Sequence, residues 1–330
     1  MAGADPRVSI DRDEVHVGRW FGVSFQRTLR IPDDGRTYPL PPGLGRFPVR
    51  RVEEVGERAP ASWRATGDLL IPMYQREALW LAFDGEPWHP CAVQVGVGGI
   101  NAVTGEPWGA EPTAEPQNYL VCPDQPWLDG IKAGPDVIRQ FVAMPLGLGY
   151  TVEGQLTGVE AEGGIQLRVY EPKPGRFPDR PPPPTREDLL PMRLAGPAPA
   201  GAMGLGVGGS IRQKIYPDPH GLDTWDLASA VSLTIRIVNS EQYAALTGQP
   251  PPPSPIDASM YTEHGFPWYD LYDEERGDLE AARRLAELKS VRELDTERGD
   301  TTSRPEDVSV AVDPAQIRKL RPPGQAGDAN

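Results

Sequence analysis

The chain has 330 residues, a formal net charge of −14, 39 prolines and 36 glycines. Together these 75 turn-forming residues make up about 23% of the chain, against an average near 12%. This excludes a mostly helical fold, because proline removes a backbone donor and glycine costs entropy inside a helix. The acidity disfavours nucleic acid and anionic membrane surfaces as partners, since no run of Lys or Arg supplies a local exception.

Residues 1–11 read as a flexible N-terminus. Their acidic character, with Asp5 and Asp11 followed by Asp13 and Glu14, is unlike a signal peptide. No stretch approaches the roughly 18 apolar residues that a membrane span requires. The expectation is a soluble, cytoplasmic protein.

Residues 12–271 form the expected β-rich body. Period-two alternation runs through Phe21, Val23 and Phe25, through Leu79, Leu81 and Phe83, and through Val93, Val95 and Val97. It returns at Ile165, Leu167 and Val169 and at Leu233, Ile235 and Ile237, with Gln94, Arg168 and Arg236 on the opposite face. Such runs read as strands with one dry and one wet face. Turn signals separate them: Asp33-Asp34-Gly35, Asp84-Gly85, Thr104-Gly105, Asp129-Gly130 and Gly163-Gly164. Their positive-φ capacity favours antiparallel connections over helical crossovers.

Between the strands lies a proline-rich excursion, 172–200, which reads as extended and semi-rigid. It either divides two β modules or loops out of one. Short helices are expected over 241–246, capped by Ser240 and stopped by Gly248, and over 258–263 after the cap Asp257. The aromatic run 266–272 is expected to anchor the end of the body.

Residues 272–291 read as one C-terminal amphipathic helix. Leu279, Ala282, Leu285 and Ala286 share a face, and Glu280 stands four residues before Arg284. That stripe must meet either the body or a partner. Residues 292–330 read as a disordered polar tail, with 308–312 able to add as an edge strand.

Chemistry-bearing clusters are few. Asp218, His220, Asp223 and Asp226 fall within nine residues, a density able to hold a divalent cation or to position an acid and a base. The same residues also suit a surface loop whose Asp side chains close turns on their own backbone. His89 and Cys91 lie two apart, as in an activated thiol pair, but Pro90 intervenes and no orienting third group is apparent. Cys91 and Cys122 are the only cysteines, too few for a disulfide framework, and read as reduced, buried residues.

The glycines at 204, 206 and 209 satisfy G-x-G-x-x-G, but a strand-like segment follows where a dinucleotide site needs a helix. Trp88, Trp108, Trp127 and Trp268 each follow a proline. They read either as binding rings for sugars or proline-rich peptides or, more simply, as indoles tucked over the core. No further catalytic or metal motif is present, and no cofactor or metal is expected.

The sequence therefore predicts an all-β, mainly antiparallel, sandwich-like body. Its leading functional expectation is a non-enzymatic binding or assembly protein that acts through protein-protein contacts or self-association. The alternative is a hydrolase, carbohydrate-active or metal-dependent protein using the Asp218 to Asp226 loop. For an enzyme those side chains must converge in a concave pocket with at least one aromatic ring; for a binding protein they should splay outward while a flat apolar patch appears elsewhere.

Overall fold

The computed structural model describes residues 5–180, 203–250, 252–271 and 276–320. Part of the proline-rich excursion (181–200), Tyr272, the first residues of the expected helix (272–275) and the last ten of the expected tail (321–330) lie outside the described residues.

Alternation becomes two layers of strand. The first layer runs β1 (Val8–Asp11), β2 (Glu14–Val17) and β3 (Phe21–Thr28). The second contains β4 (Leu69–Met73), and the chain then returns to the first with β5 (Ala78–Gly85). Next come β6 (Cys91–Val97) and β7 (Leu120–Cys122) in the second layer, then β8 (Gly130–Gly134) and β9 (Val137–Pro145) in the first. β10 (Ile165–Tyr170) and β12 (Val231–Asn239) join the second layer, and β11 (Met203–Arg212) joins the first.

Pairing within the first layer follows β1-β2-β3-β5-β9-β11, with β8 also along β9, and is antiparallel among these strands, while Thr37–Tyr38 adds a short parallel pairing to β11. The second layer follows β7-β6-β10-β12-β4, antiparallel except for the parallel β12–β4 pair. Met203 of β11 faces Ile237 of β12, joining the layers at one corner. This is an all-β, sandwich-like fold. Strands from both sides of the proline-rich excursion share both layers.

The core follows from the pleat, because every second side chain points to one face. Val23, Phe25, Leu81, Phe141 and Leu205 from one layer meet Ile71, Val93, Val95, Leu167 and Ile235 from the other in a single buried cluster. Each of these is 1% exposed or less. β11 explains the glycine-rich motif. Met203, Leu205 and Val207 point into the core, while Gly204, Gly206 and Gly208 alternate onto the other face. A Cβ on Gly208 would lie 2.7 Å from Val142 Cγ2 and one on Gly206 2.9 Å from the Tyr150 carbonyl, so the glycines admit a second layer of packing directly onto backbone.

Several expectations need correction. Residues 8–11 of the expected flexible N-terminus form β1, which folds back on β2 through Arg12 and Asp13, both at positive φ. Asp129-Gly130 is no turn. Asp129 is buried, and Gly130 opens β8 where a Cβ would meet the Arg139 carbonyl at 1.9 Å. The short helices do form, at Tyr243–Thr247 ending on left-handed Gly248 and at Ala258–Glu263 capped by Asp257, but the first starts after Gln242 without a side-chain cap, so Ser240 does not cap it.

The largest departure is C-terminal. Residues 276–282 are not helical, Arg283–Ala286 makes one turn, and Val291–Glu297 is a separate helix with a Ser290–Glu293 capping box. The helical periodicity is overridden because Asp278 receives Lys132, the Asp136 amide (2.7 Å) and the Ile215 amide (2.9 Å), while the Leu279 amide donates to the Ile215 carbonyl. Leu285, 1% exposed, plugs the main core.

Nor is the segment 292–320 a disordered tail, although most of 301–319 is exposed: it includes helical residues of Val291–Glu297 and the strand Ile317–Leu320. Val291 and Leu294 pack with Val142, Met144 and Tyr150 over the glycine face of β11. The expected edge strand at 308–312 is absent, and Val310 is instead buried beside Tyr38 and Trp268. A parallel pair forms further on, between β13 (Trp268–Leu271) and β14 (Ile317–Leu320).

Candidate functional site

Three largely irregular stretches meet: 103–118, 213–226 and 276–290, the last being the first part of a C-terminal strap that runs on to residue 320. The first is shaped by two asparagines. Asn101 Oδ1 accepts from the amides of Val103 (2.9 Å) and Thr104 (3.0 Å), while its Nδ2 donates to the Asn118 carbonyl. Asn118 in turn accepts from the Thr113 amide and donates to the Glu111 carbonyl. Gly105 then turns at φ +72°, where a Cβ would lie 2.8 Å from Arg284 Cγ, so the strap rests directly on this glycine.

Buried glutamines hold the second stretch. Gln117 donates to the Tyr119 and Tyr216 carbonyls and accepts from the Asp218 amide, and Gln125 accepts from the Tyr216 amide. A glutamine amide presents one donor end and one acceptor end, so it can replace a missing strand partner. No periodicity in the sequence marks these residues.

Between 103–117 and 279–287 opens a groove of about 780 Å³. Val103, Ala114, Pro116, Leu279 and Ala282 supply its apolar lining. Glu106 pairs with Arg284 at 3.0 Å and Glu287 with Arg283 at 2.7 Å. Glu115 and Glu280, also lining the groove, are exposed and have no ion-pair partner among the described residues. Of the expected partner-helix face, Leu279 and Ala282 line the groove, Leu285 lies in the core and Ala286 is half-buried.

The Asp218 to Asp226 loop sits beside the groove, reached through Gln117. Asp218 Oδ2 accepts from Tyr119 Oη (2.6 Å) and Trp225 Nε1 (3.0 Å), and its Oδ1 accepts from the His220 amide (2.7 Å). Burial, reinforced by the Asp218 bond, pushes the Tyr119 hydroxyl well above its ordinary pKa. Asp223 is exposed and pairs with Lys173 (2.7 Å) and Arg176. Asp226 caps the turn that follows by accepting from the Ala228 amide. The His220 ring meets Phe177 and Trp225 edge-on, its Nε2 3.9 Å from Asp124 Oδ2. Among the described residues no three His, Cys, Asp or Glu side chains are placed to hold a metal ion.

His89 and Cys91 are both buried, and His89 Nδ1 lies 2.8 Å from the Pro178 carbonyl. Burial, with the Glu171 charge as a smaller cause, pushes the Cys91 thiol up to about 12. The four tryptophans occupy separate places. Trp88 packs edge-on to Trp20, and Trp108 covers Gly96 beneath the Arg168 guanidinium. Trp127 meets Trp80, and Trp268 is fully buried against Tyr38 and Tyr261.

Comparison of the chain with protein-family models, curated proteins and solved structures finds no match.

Proposed function

We propose that this is a non-enzymatic binding protein that receives a segment of a protein partner in the groove between residues 103–117 and 279–287. The observation that carries this reading is the joining, in one concavity, of an apolar lining with Glu115 and Glu280, two carboxylates without ion-pair partners among the described residues. Apolar lining anchors short side chains, and unpaired rim charges select the sign of what flanks them.

Charge also distinguishes among occupants. A second copy carries the same −14, which opposes self-association, whereas a segment with Lys or Arg around one or two apolar residues complements the rim. The neighbouring loop supports a hydrolase or carbohydrate-active role less well. Asp218, Asp223 and Asp226 are engaged by different groups: an aromatic pair, surface cations and a backbone amide.

The test uses fluorescent peptides pairing Leu with flanking Lys, and the same peptides with Glu in place of Lys, read by anisotropy against the full chain. The Lys peptides should bind, and a Glu115→Lys/Glu280→Lys variant should bind them about tenfold more weakly, the equivalent of about 1.4 kcal/mol. Equal binding of both peptide sets, or an unaffected variant, rejects the reading.

A further inference from the structure

The chain has two cysteines in 330 residues, and the fold places them directly opposite one another. Cys91 opens β6, Cys122 closes β7, and the antiparallel register pairs the two residues. Directly opposed residues have Cα atoms about 4.5 or 5.5 Å apart, depending on the hydrogen-bonding of the pair, and both distances lie within the 4.4–6.8 Å span of disulfides. Cross-strand partners also point their side chains to one face. Here that face is inward, since both residues belong to the main core cluster with Val93 and Leu120. Their Cβ atoms need close only from about 5 Å to about 4 Å. Both thiols are free.

We propose that Cys91 and Cys122 form a reversible intrachain disulfide, a redox clamp that ties β7 to β6. Three features favour it. No third thiol competes. Among the described residues β7 pairs with β6 alone, so it is an edge strand, and Cys122 is its last residue, followed by Pro123. Edge-strand ends open at the lowest cost in local hydrogen bonds. The bond also has a defined consequence, because the ring it closes, 91–122, contains the loop 103–117 that walls the groove.

The oxidant is a low-molecular-weight disulfide such as oxidised glutathione. In the opened edge one cysteine loses its proton and attacks an oxidant sulfur, forming a mixed disulfide and releasing one glutathione thiolate. The second cysteine, deprotonated in turn, attacks the cysteine sulfur of that mixed disulfide and releases the second. Two protein thiols and one small disulfide become one protein disulfide and two small thiols, with two electrons passing to the oxidant. Burial of both thiols, 3% and 1% exposed, makes the reaction slow in the closed fold and dependent on opening of the edge.

The experiment incubates the full chain with oxidised glutathione in native buffer and in urea below the unfolding transition, followed by acid quench, intact-mass measurement and peptide mapping. The expected product has lost two hydrogen masses, carries no glutathione, maps to a Cys91–Cys122 crosslink and is reversed by dithiothreitol. Cys91→Ser and Cys122→Ser should each stop at a glutathione adduct in urea. Hydrogen exchange in residues 103–117 should then be slower in the oxidised chain. Persistence of two free thiols in both buffers, a stable adduct on the native chain, or disulfide-linked dimers would overturn the proposal. Unchanged exchange in 103–117 would overturn the clamp on the groove wall. None of these readouts uses a groove ligand, so they stand or fall apart from the binding function.

Discussion

The sandwich and the strap that crosses it are held by different physics. Between the layers, apolar side chains at 0–9% exposure interdigitate, and polar groups lie mainly on the outer faces. The strap, 276–320, has a discontinuous set of apolar plugs, among them Leu285, Leu288, Val291, Leu294 and Val310. Between these plugs it is fastened by charge. Asp295 receives Arg76 at 2.8 Å on both oxygens, Tyr150 Oη at 2.7 Å and Arg304 at 3.3 Å. Asp278 receives the fully buried Lys132. Buried Arg30 lies 3.9 Å from both Glu306 and Asp307, without a direct hydrogen bond from its guanidinium among the described residues. Area burial is non-directional and insensitive to pH, whereas buried ion pairs depend on geometry and protonation.

Truncation inside the sandwich should have the largest effect. Phe25→Ala removes a fully buried ring from between the layers and should cost about 3–5 kcal/mol in urea unfolding, with little dependence on pH. Asp295→Ala should cost about 3 kcal/mol, the lower end for a broken buried pair, because Arg76 keeps 13% of its side chain exposed. Hydrogen exchange should show that loss in 291–304 before it appears in β6 or β10. A spread equal to that of Phe25→Ala would mean that strap and sandwich unfold as one unit.

Acid should loosen the strap in the same way. Burial alone would raise the Asp295 pKa, but donation from Arg76 and Tyr150 outweighs it and holds the carboxyl below its ordinary value. A depressed folded pKa gives stability that is present above the unfolded value, about 3.9, and is lost as pH falls through the folded one. Protection in 291–304, taken relative to the intrinsic exchange rate at each pH, should therefore fall below about pH 4, and Asp295→Ala should weaken that dependence.

Asp129 has the opposite sign inside the sandwich. Burial raises its pKa to about 7, against hydrogen bonds from Gln213 and Trp127. With the folded value above the unfolded one, stability falls as pH rises from about 4 to 7 and the penalty is complete above that. Asp129→Asn keeps an acceptor for Gln213 and should be more stable than the parent by about 2 kcal/mol at pH 8, with the advantage gone near pH 4. An unchanged difference across that range would show that Asp129 stays ionised. The smallest effect belongs to the surface: Phe266→Ser, at a side chain 48% exposed, should shift unfolding by no more than about 0.5 kcal/mol.

The strands are legible in the amino-acid order. Alternation at Phe21 to Phe25, Val93 to Val97 and Ile165 to Val169 needs only the two-residue pleat and water on one side, both of which are local. Equally legible are the Asp257 cap and the Gly248 stop, since these bonds close within a few residues. The remaining features depend on long-range contacts. Residues 274–290 have helical periodicity, yet Asp278 and Leu279 bond to residues more than 60 positions away, and those bonds outweigh local propensity. The alternate glycines of β11 acquire meaning only once Val291 and Tyr150 lie over them. The groove likewise arises where loops distant in sequence, held by Asn101, Gln117 and Asp278, come to lie side by side. Such side chains follow no period, because their partners are backbone groups brought near only by the completed fold.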